Sequence, residues 1–187
     1  MHTRKDEILN LPPGSRCLID EMRIKTRVAE LAAGLSELMS EDRSSWLVIG
    51  VLRGAFIFMA DLVRELAVAA ELDFIQISSY EQRTCSSGRV ELICAPRSEL
   101  KNRPVLLVDD ILDTGYSLAW LKDYFKRQQV KQLTTCVLLD KPSRREIANL
   151  QADYVGFEVP PEFVVGYGLD ANQQYRFLSS IYQIPVR

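Results

Sequence analysis

The sequence predicts one domain of the α/β class, built on a central, mostly parallel sheet with helices on both faces. Short, continuous apolar runs rich in β-branched residues are typical of strands buried on both faces, and such runs occur at 46–51, 105–108 and 132–139. Segments with apolar residues at helical spacing separate them, as expected for alternating strands and helices. A chain of 187 residues that is 47% hydrophobic and 26% charged can bury such a core.

The remaining elements follow from local patterns. In chain order we expect a short strand at 16–19, a helix from an N-cap at Asp20 to about Met39, a helix through 56–66, a half-buried strand at 72–78, a returning strand at 90–94 and a helix from Ser117. The segment between the strands at 72–78 and 90–94 is polar and has almost nothing to pack. These two strands therefore predict a β-hairpin with an exposed tip.

The richest chemistry follows the apolar run at 105–108. Two carboxylates, Asp109 and Asp110, come at once, and the segment Asp113–Ser117 adds a third acid, two hydroxyls and a glycine. Thr114, Gly115, Tyr116 and Ser117 complete this segment. A glycine-containing turn that opens a helix suits a phosphate dianion, whereas the acid pair suits sugar hydroxyls, Mg²⁺ or a developing positive charge. The turn therefore fits a sugar phosphate better than the alternative, an ordinary strand–helix turn whose acids serve solubility and capping.

Composition excludes several classes of site. The only histidine is His2, so a Ser-His-Asp or Cys-His site and a histidine-ligated metal are not expected. The four cysteines lack the paired spacing of a zinc site or a disulfide framework and indicate reduced thiols in a cytoplasmic protein. A net charge of −2 gives no nucleic-acid footprint, and neither a signal peptide nor a membrane-spanning run is found, so no nucleic-acid or membrane partner is expected.

The segment Val108–Ser117 resembles the 5-phosphoribosyl-1-pyrophosphate signature of type I phosphoribosyltransferases, and Asp113 is the form typical of hypoxanthine(-guanine) members. The resemblance implies the type I phosphoribosyltransferase fold for a single domain, 1–187, with a small hood from about 1–20 and 155–187. It also implies a flexible β-hairpin lid at about 79–92, opened by Ser79 and Tyr80. In this interpretation Asp113 is the general base, and residues 109, 110 and 113–117 bind the phosphoribosyl group.

The resemblance also assigns the pyrophosphate side of the site. Leu52, Arg53 and Gly54 match a pyrophosphate-binding turn that contains a non-proline cis peptide, which we expect at Leu52–Arg53. Without the resemblance, a plain strand–helix turn with a solvated arginine would be favoured. Arg176 matches a basic residue near pyrophosphate. Asp170 matches an acid that holds a second Mg²⁺, and Asp109 and Asp110 are the other metal candidates.

The purine side follows in the same way. Lys141, otherwise a solvated charge at a strand end, matches the lysine that bonds the exocyclic oxygen of a 6-oxopurine. Phe163, otherwise a core residue, matches the aromatic that stacks on the base, and Val164 offers backbone groups to the purine edge. Asp170 is also counted among the purine-binding residues. Two departures from the family pattern are Asp109, where many members have glutamate, and Ala171, where many have an aromatic.

The activity implied is purine salvage: hypoxanthine or guanine plus 5-phosphoribosyl-1-pyrophosphate gives the nucleotide and pyrophosphate, with Mg²⁺ as cofactor and a homodimer or homotetramer as the assembly. The alternative within the enzyme class is adenine or xanthine specificity. An RNA-binding pyrimidine-operon regulator shares the signature but usually has tyrosine at the position of Asp113. A phosphoacceptor receiver domain also has an acid pair after a buried strand, but that pair lies near its N-terminus.

Overall fold

A computed structural model describes residues 11–41, 45–79 and 90–185, apart from the side chain of Ser79. Tyr80 and most of the lid expected at 79–92 lie outside these residues. The strands are β1 (Arg16–Ile19), β2 (Leu47–Leu52), β3 (Glu71–Ser79), β4 (Val90–Cys94), β5 (Pro104–Leu112), β6 (Gln132–Asp140), β7 (Tyr154–Glu158), β8 (Val164–Val165) and β9 (Ile181–Gln183). The helices are α1 (Glu21–Glu41), α2 (Phe56–Glu65) and α3 (Tyr116–Arg127), with a 3-10 turn at Pro142–Arg144.

A six-stranded sheet in the order β4-β3-β2-β5-β6-β7 forms the centre of the molecule. All neighbouring pairs are parallel except β3 and β4, which run antiparallel as the hairpin prediction requires. Along β5, Leu106 and Val108 face the core layer under α1 and α2, while Val105 and Leu107 face the layer under α3. The predicted parallel-centred sheet with helices on both faces is confirmed.

A second, three-stranded sheet in the order β1-β9-β8 joins the two ends of the described chain. Its strands come from the segments expected to build the hood. Residues 155–158 behave differently, because they belong to β7 and pair in parallel with β6 in the main sheet. The C-terminal part of the hood sheet thus begins at Val164, after a crossing segment that contains two prolines.

The acid pair lies within a strand rather than after it. The sequence predicts that the strand ends near Val108, but β5 continues to Leu112 because β6 keeps pairing with it, with Asp109 opposite Val137 and Leu112 opposite Asp140. Successive residues of a strand point to opposite faces. Asp109 and Asp110 therefore leave the sheet in different directions from the same edge.

Other local predictions agree with the structure. The side chain of Asp20 accepts a hydrogen bond from the Arg23 N–H at 2.9 Å, which makes it the N-cap expected for α1. The buried residues of α3 include Leu118, Leu121 and Phe125, the apolar positions from which that helix was predicted. Among the described residues, no helix is both long enough and apolar enough to cross a bilayer.

Candidate active site

The turn between β5 and α3, residues 113–117, is the segment expected to bind phosphate and is called the phosphate cradle below. Gly115 has a positive φ of 99° and precedes the first residue of α3. An added Cβ at this position would lie 2.8 Å from the Leu150 side chain, so both conformation and space favour glycine. The Thr114 carbonyl accepts a hydrogen bond from the Glu146 N–H at 2.9 Å. This hydrogen bond fixes the backbone of the cradle, and the N-terminus of α3 leaves N–H groups that a phosphate can accept from.

Asp113 is held between two cations. Its Oδ1 accepts a hydrogen bond from Arg144 Nε at 2.9 Å, and its Oδ2 lies 3.5 Å from Lys141 Nζ. Lys141 is only 4% exposed, so it is not the solvated charge that the sequence alone would favour. The Arg145 guanidinium donates to the Asp113 main-chain oxygen and to the Asp140 carboxylate. The loop after β6 therefore fixes both the backbone and the carboxylate of Asp113.

Asp109 and Asp110 form a buried carboxyl pair. Asp109 Oδ1 accepts the Asp110 N–H at 2.9 Å, so its short side chain turns back toward the backbone. Burial, followed by the neighbouring Asp110 charge, raises the pKa of Asp109 well above its usual range. Burial also raises the pKa of Asp110, opposed by its hydrogen bond from Asp109 and by the charge of Arg176. Without a cation or substrate, a proton on Asp109 thus stabilises the pair.

The turn expected to bind pyrophosphate, residues 52–54, connects β2 to α2 and is called the pyrophosphate turn below. The peptide bond between Leu52 and Arg53 is cis, as expected. An added Cβ on Gly54 would lie 1.5 Å from Asp110 Oδ2, so the carboxylate of Asp110 rests directly against this glycine. On the other side, a Cβ on Gly168 would lie 2.1 Å from the Gly54 carbonyl oxygen. Gly54 therefore lies against both the Asp110 carboxylate and Gly168, which follows β8.

Asp170 and Arg176 meet on this same side. Arg176 Nη2 lies 2.6 Å from Asp170 Oδ1, and Arg176 Nη1 donates to the Gly168 carbonyl at 2.6 Å. The other Asp170 oxygen accepts the Gln173 N–H at 2.7 Å. Within the described residues, no group of three or more His, Cys, Asp or Glu side chains could hold a metal ion. Asp109, Asp110 and Asp170 are therefore not gathered into one protein cage.

Two of the residues expected on the purine side, Phe163 and Val164, lie immediately before β8 and at its first position. Phe163 is 42% exposed, which contradicts a core role and leaves its ring accessible. Its carbonyl accepts the Ile184 N–H at 3.0 Å. Val164 is 5% exposed and is paired with Gln183 of β9, so β9 holds the backbone of this segment in place.

The structure thus joins Asp113 with Lys141, Gly54 with Asp110, and Asp170 with Arg176. Sequence reasoning did not single out Arg144 and Arg145, although both follow Lys141 closely in a basic run at the end of β6. Because β6 is the parallel neighbour of β5, their carboxyl ends share one edge of the sheet. That topology is the signal that could have found the two arginines.

Comparison with known proteins agrees with this arrangement. A family model described as "Phosphoribosyl transferase domain" matches residues 17–172. The chain is 41% identical to the hypoxanthine phosphoribosyltransferase of Escherichia coli K12 over 164 residues, covering 88% of this chain and 92% of that one. It is 44% identical to the hypoxanthine-guanine phosphoribosyltransferase of Bacillus subtilis over 167 residues, covering 89% and 91%.

Solved structures give the same result. A hypoxanthine-guanine phosphoribosyltransferase from Bacillus anthracis superposes with a TM-score of 0.84 at 39% identity, covering 91% of this chain and 98% of that one. A hypoxanthine phosphoribosyltransferase from Staphylococcus aureus has a TM-score of 0.86 at 34% identity, with 99% and 96% covered. These matches exclude the receiver-domain alternative. Because the family model spans most of its length and relatives more than 40% identical cover about nine tenths of it, the chain belongs to the phosphoribosyltransferase family.

Proposed function

We propose that this enzyme transfers the phosphoribosyl group of 5-phosphoribosyl-1-pyrophosphate to hypoxanthine or guanine, releasing pyrophosphate. The observation that carries the proposal is the pairing of Asp113 with the buried Lys141 at the edge of the phosphate cradle. The names of the similar proteins from Escherichia coli and Bacillus subtilis support the same substrates.

The work divides among the segments already described. The cradle at 113–117 would hold the 5′-phosphate at the N-terminus of α3. Asp109 and Asp110 would bind the ribose hydroxyls and favour the positive charge that develops on the ribose as pyrophosphate leaves. The pyrophosphate turn and Arg176 would bind the leaving group, and the Phe163 ring, with Val164 beside it, would face the base.

Proton transfer and base selection are assigned to Asp113 and Lys141. Asp113 would accept the proton from the imidazole ring of the purine as the new bond to ribose forms. Lys141 is a donor without lone pairs, so it can bond a 6-oxo group but not a 6-amino group. With adenine bound, the buried Lys141 would have no 6-oxo group to bond, so the site should reject adenine strongly.

Magnesium fits the donors present. Carboxylate oxygens of Asp109, Asp110 and Asp170 are ligands that Mg²⁺ prefers, and this ion is usually held by one or two carboxylates, waters and substrate phosphates rather than by a protein cage. The absence of a three-residue cluster in the described chain is compatible with such a site. When bound, Mg²⁺ would stabilise the charge of the leaving pyrophosphate.

The test is steady-state nucleotide formation with 5-phosphoribosyl-1-pyrophosphate and Mg²⁺, with hypoxanthine, guanine, xanthine and adenine compared side by side. We expect turnover with hypoxanthine or guanine and little with adenine. Turnover of xanthine alone would show that the enzyme is specific for xanthine and not for hypoxanthine or guanine. No turnover with any purine, in folded protein, would favour the RNA-binding regulator, which a filter-binding assay with RNA would then detect.

Assembly and location complete the proposal. A homodimer or homotetramer is supported by large apolar side chains exposed on β3 and β4, including Leu72, Phe74 and Ile93. Sedimentation velocity would show a monomer if this is wrong.

A cytoplasmic location is supported by the free thiols of Cys17, Cys94 and Cys136. Cell fractionation with an antibody would test it.

A further inference from the structure

The glycine turn, residues 166–169, packs against α2 at two points. At the first, Gly168 lies against the Gly54 carbonyl, two residues before α2, and near Ile57 in the first turn of that helix. At the second, the Tyr167 hydroxyl donates a hydrogen bond to Asp61 Oδ2 at 2.5 Å, in the second turn of α2. One short turn therefore bridges the helix along about two of its turns.

The conformation of the turn serves these contacts. Gly166, Tyr167 and Gly168 all have positive φ angles, 103°, 50° and 101°. Tyr167 is only 6% exposed although its backbone lies in a turn. Burial, with the Asp61 hydrogen bond next, raises the pKa of Tyr167 far above its usual range, so the hydroxyl keeps its proton and donates. A buried phenol bonded to a carboxylate is a strong, directional anchor.

The contacts continue into the proposed site. The carbonyl oxygen of Gly54 lies against Gly168, and the Asp110 carboxylate lies where a Cβ of Gly54 would be. Arg176 also contacts this turn, because its Nη1 donates a hydrogen bond to the Gly168 carbonyl while its Nη2 pairs with Asp170. A change in the position of Tyr167 would therefore move Gly168, and with it the backbone that the Asp110 carboxylate contacts.

We propose that the Asp61–Tyr167 hydrogen bond positions Gly54, and through it the pyrophosphate turn, for 5-phosphoribosyl-1-pyrophosphate. Asp61 and Tyr167 are positioning residues, because they act through Gly168 and Gly54 rather than on substrate. The inference rests on the proposed function and extends it to two residues outside the sequence motifs. Phe163 and Lys141 do not take part in these contacts, so purine binding should be spared.

The test separates the two substrates. Tyr167→Phe removes one hydroxyl, and we expect it to raise KM for 5-phosphoribosyl-1-pyrophosphate by about 3- to 30-fold, the range of coupling through packed networks. KM for hypoxanthine should change by less than about twofold, within the usual scatter for uncoupled sites. Tyr124→Phe is the matched control, because Tyr124 is also buried, lies on α3 and stacks on Trp120.

Asp61 supplies the second arm. Asp61→Ala should reproduce the effect of Tyr167→Phe, the double variant should add nothing, and Asp61→Asn should stay close to wild type because its amide oxygen still accepts. Arg64→Ala removes the other partner of Asp61 and should leave both KM values unchanged. Equal rises in both KM values, additive single effects, or no change in folded Tyr167→Phe would overturn the inference. Absence of turnover in the wild-type protein would instead overturn the proposed function.

Discussion

Arg144 and Asp113 are joined by a hydrogen bond from Nε to Oδ1 of 2.9 Å. The other Asp113 oxygen faces Lys141 at 3.5 Å. In the proposed function, a purine that donates its ring N–H to Asp113 shares the carboxylate with these two cations. The side chain of Lys141 is 5% exposed and that of Arg144 is 47% exposed. Arg144 is therefore the partner that can return to water when the base arrives.

Arg144→Ala should bind the purine more tightly. Because a partly exposed ion pair contributes little, we expect KM for hypoxanthine to fall by about two- to fivefold. Arg127→Ala is the control, since Arg127 forms an exposed ion pair with Asp123 on α3. A rise in KM for hypoxanthine would show that Arg144 assists the base instead of competing with it.

Asp113→Asn tests the general base. The amide keeps the size of the side chain but cannot take the purine proton, so kcat should fall by ~10²–10⁴-fold with folding intact. Single-turnover measurement of nucleotide formation, with circular dichroism for folding, checks this. Asp123→Asn, on the exposed surface of α3, should retain full kcat. An unchanged kcat in Asp113→Asn would remove the assignment.

Gly54→Ala should disable the enzyme without unfolding it. The new methyl group would occupy the position of the Asp110 carboxylate, which must then leave the place where it is proposed to bind ribose. We expect kcat/KM for 5-phosphoribosyl-1-pyrophosphate to fall by about 100-fold, as for a displaced catalytic group. Retention of full activity would show that Asp110 can move without consequence.

Gly34→Ala is the matched glycine variant. Gly34 lies inside α1, and a Cβ there would make an ordinary contact of 3.5 Å with the Tyr154 ring. Glycine in a helix interior costs about 0.5–1 kcal/mol relative to alanine. Gly34→Ala should therefore raise the free energy of unfolding by about that amount, measured by urea titration, and leave activity unchanged. A lower free energy of unfolding would mean that the Tyr154 ring cannot adjust.

Asp109 makes stability depend on pH. Its pKa is raised by burial and by the Asp110 charge, so the native state retains a proton that the unfolded chain has lost. The free energy of unfolding therefore falls as pH rises from the ordinary aspartate pKa to the raised one. Asp109→Asn cannot ionise and should stabilise the protein more at pH 7 than at pH 4.

The Asp109 test uses urea unfolding at both pH values with a chelator present. The asparagine oxygen can still accept the Asp110 N–H, so the local hydrogen bond is kept. Asp123→Asn serves as the exposed control. Equal changes at pH 4 and pH 7, or destabilisation at pH 7, would contradict the prediction.

Much of the fold follows from apolar patterns that are local in sequence. The runs at 105–108 and 132–139 predict two buried strands, and the structure confirms both as β5 and β6, which pair in parallel in the central sheet. The end of β5 could not be read locally, because its last residues are strand only through pairing with β6. The cis peptide at Leu52–Arg53 was expected only from the family resemblance, whereas the phosphate-binding role of the turn at 113–117 was predicted from its own residues.

The contacts of individual side chains were less accessible to sequence reasoning. Lys141 looked like a solvated charge by itself and is buried, because the fold sets it facing Asp113. The contact between Tyr167 and Asp61 joins residues 106 positions apart, and no local pattern reports it. Such contacts depend on how the glycine turn packs on α2, which only the assembled structure specifies.

Gly54 contacts both Asp110 and Gly168 in the folded protein. These three residues come from the first third, the middle and the last part of the chain. During synthesis, the acid pair and the cradle emerge long before Gly168. Until Gly168 has been made, the Gly54 carbonyl lacks the contact that Gly168 provides. In the proposed function, the pyrophosphate turn is therefore completed by the C-terminal segment, and pyrophosphate binding would report that this segment has docked.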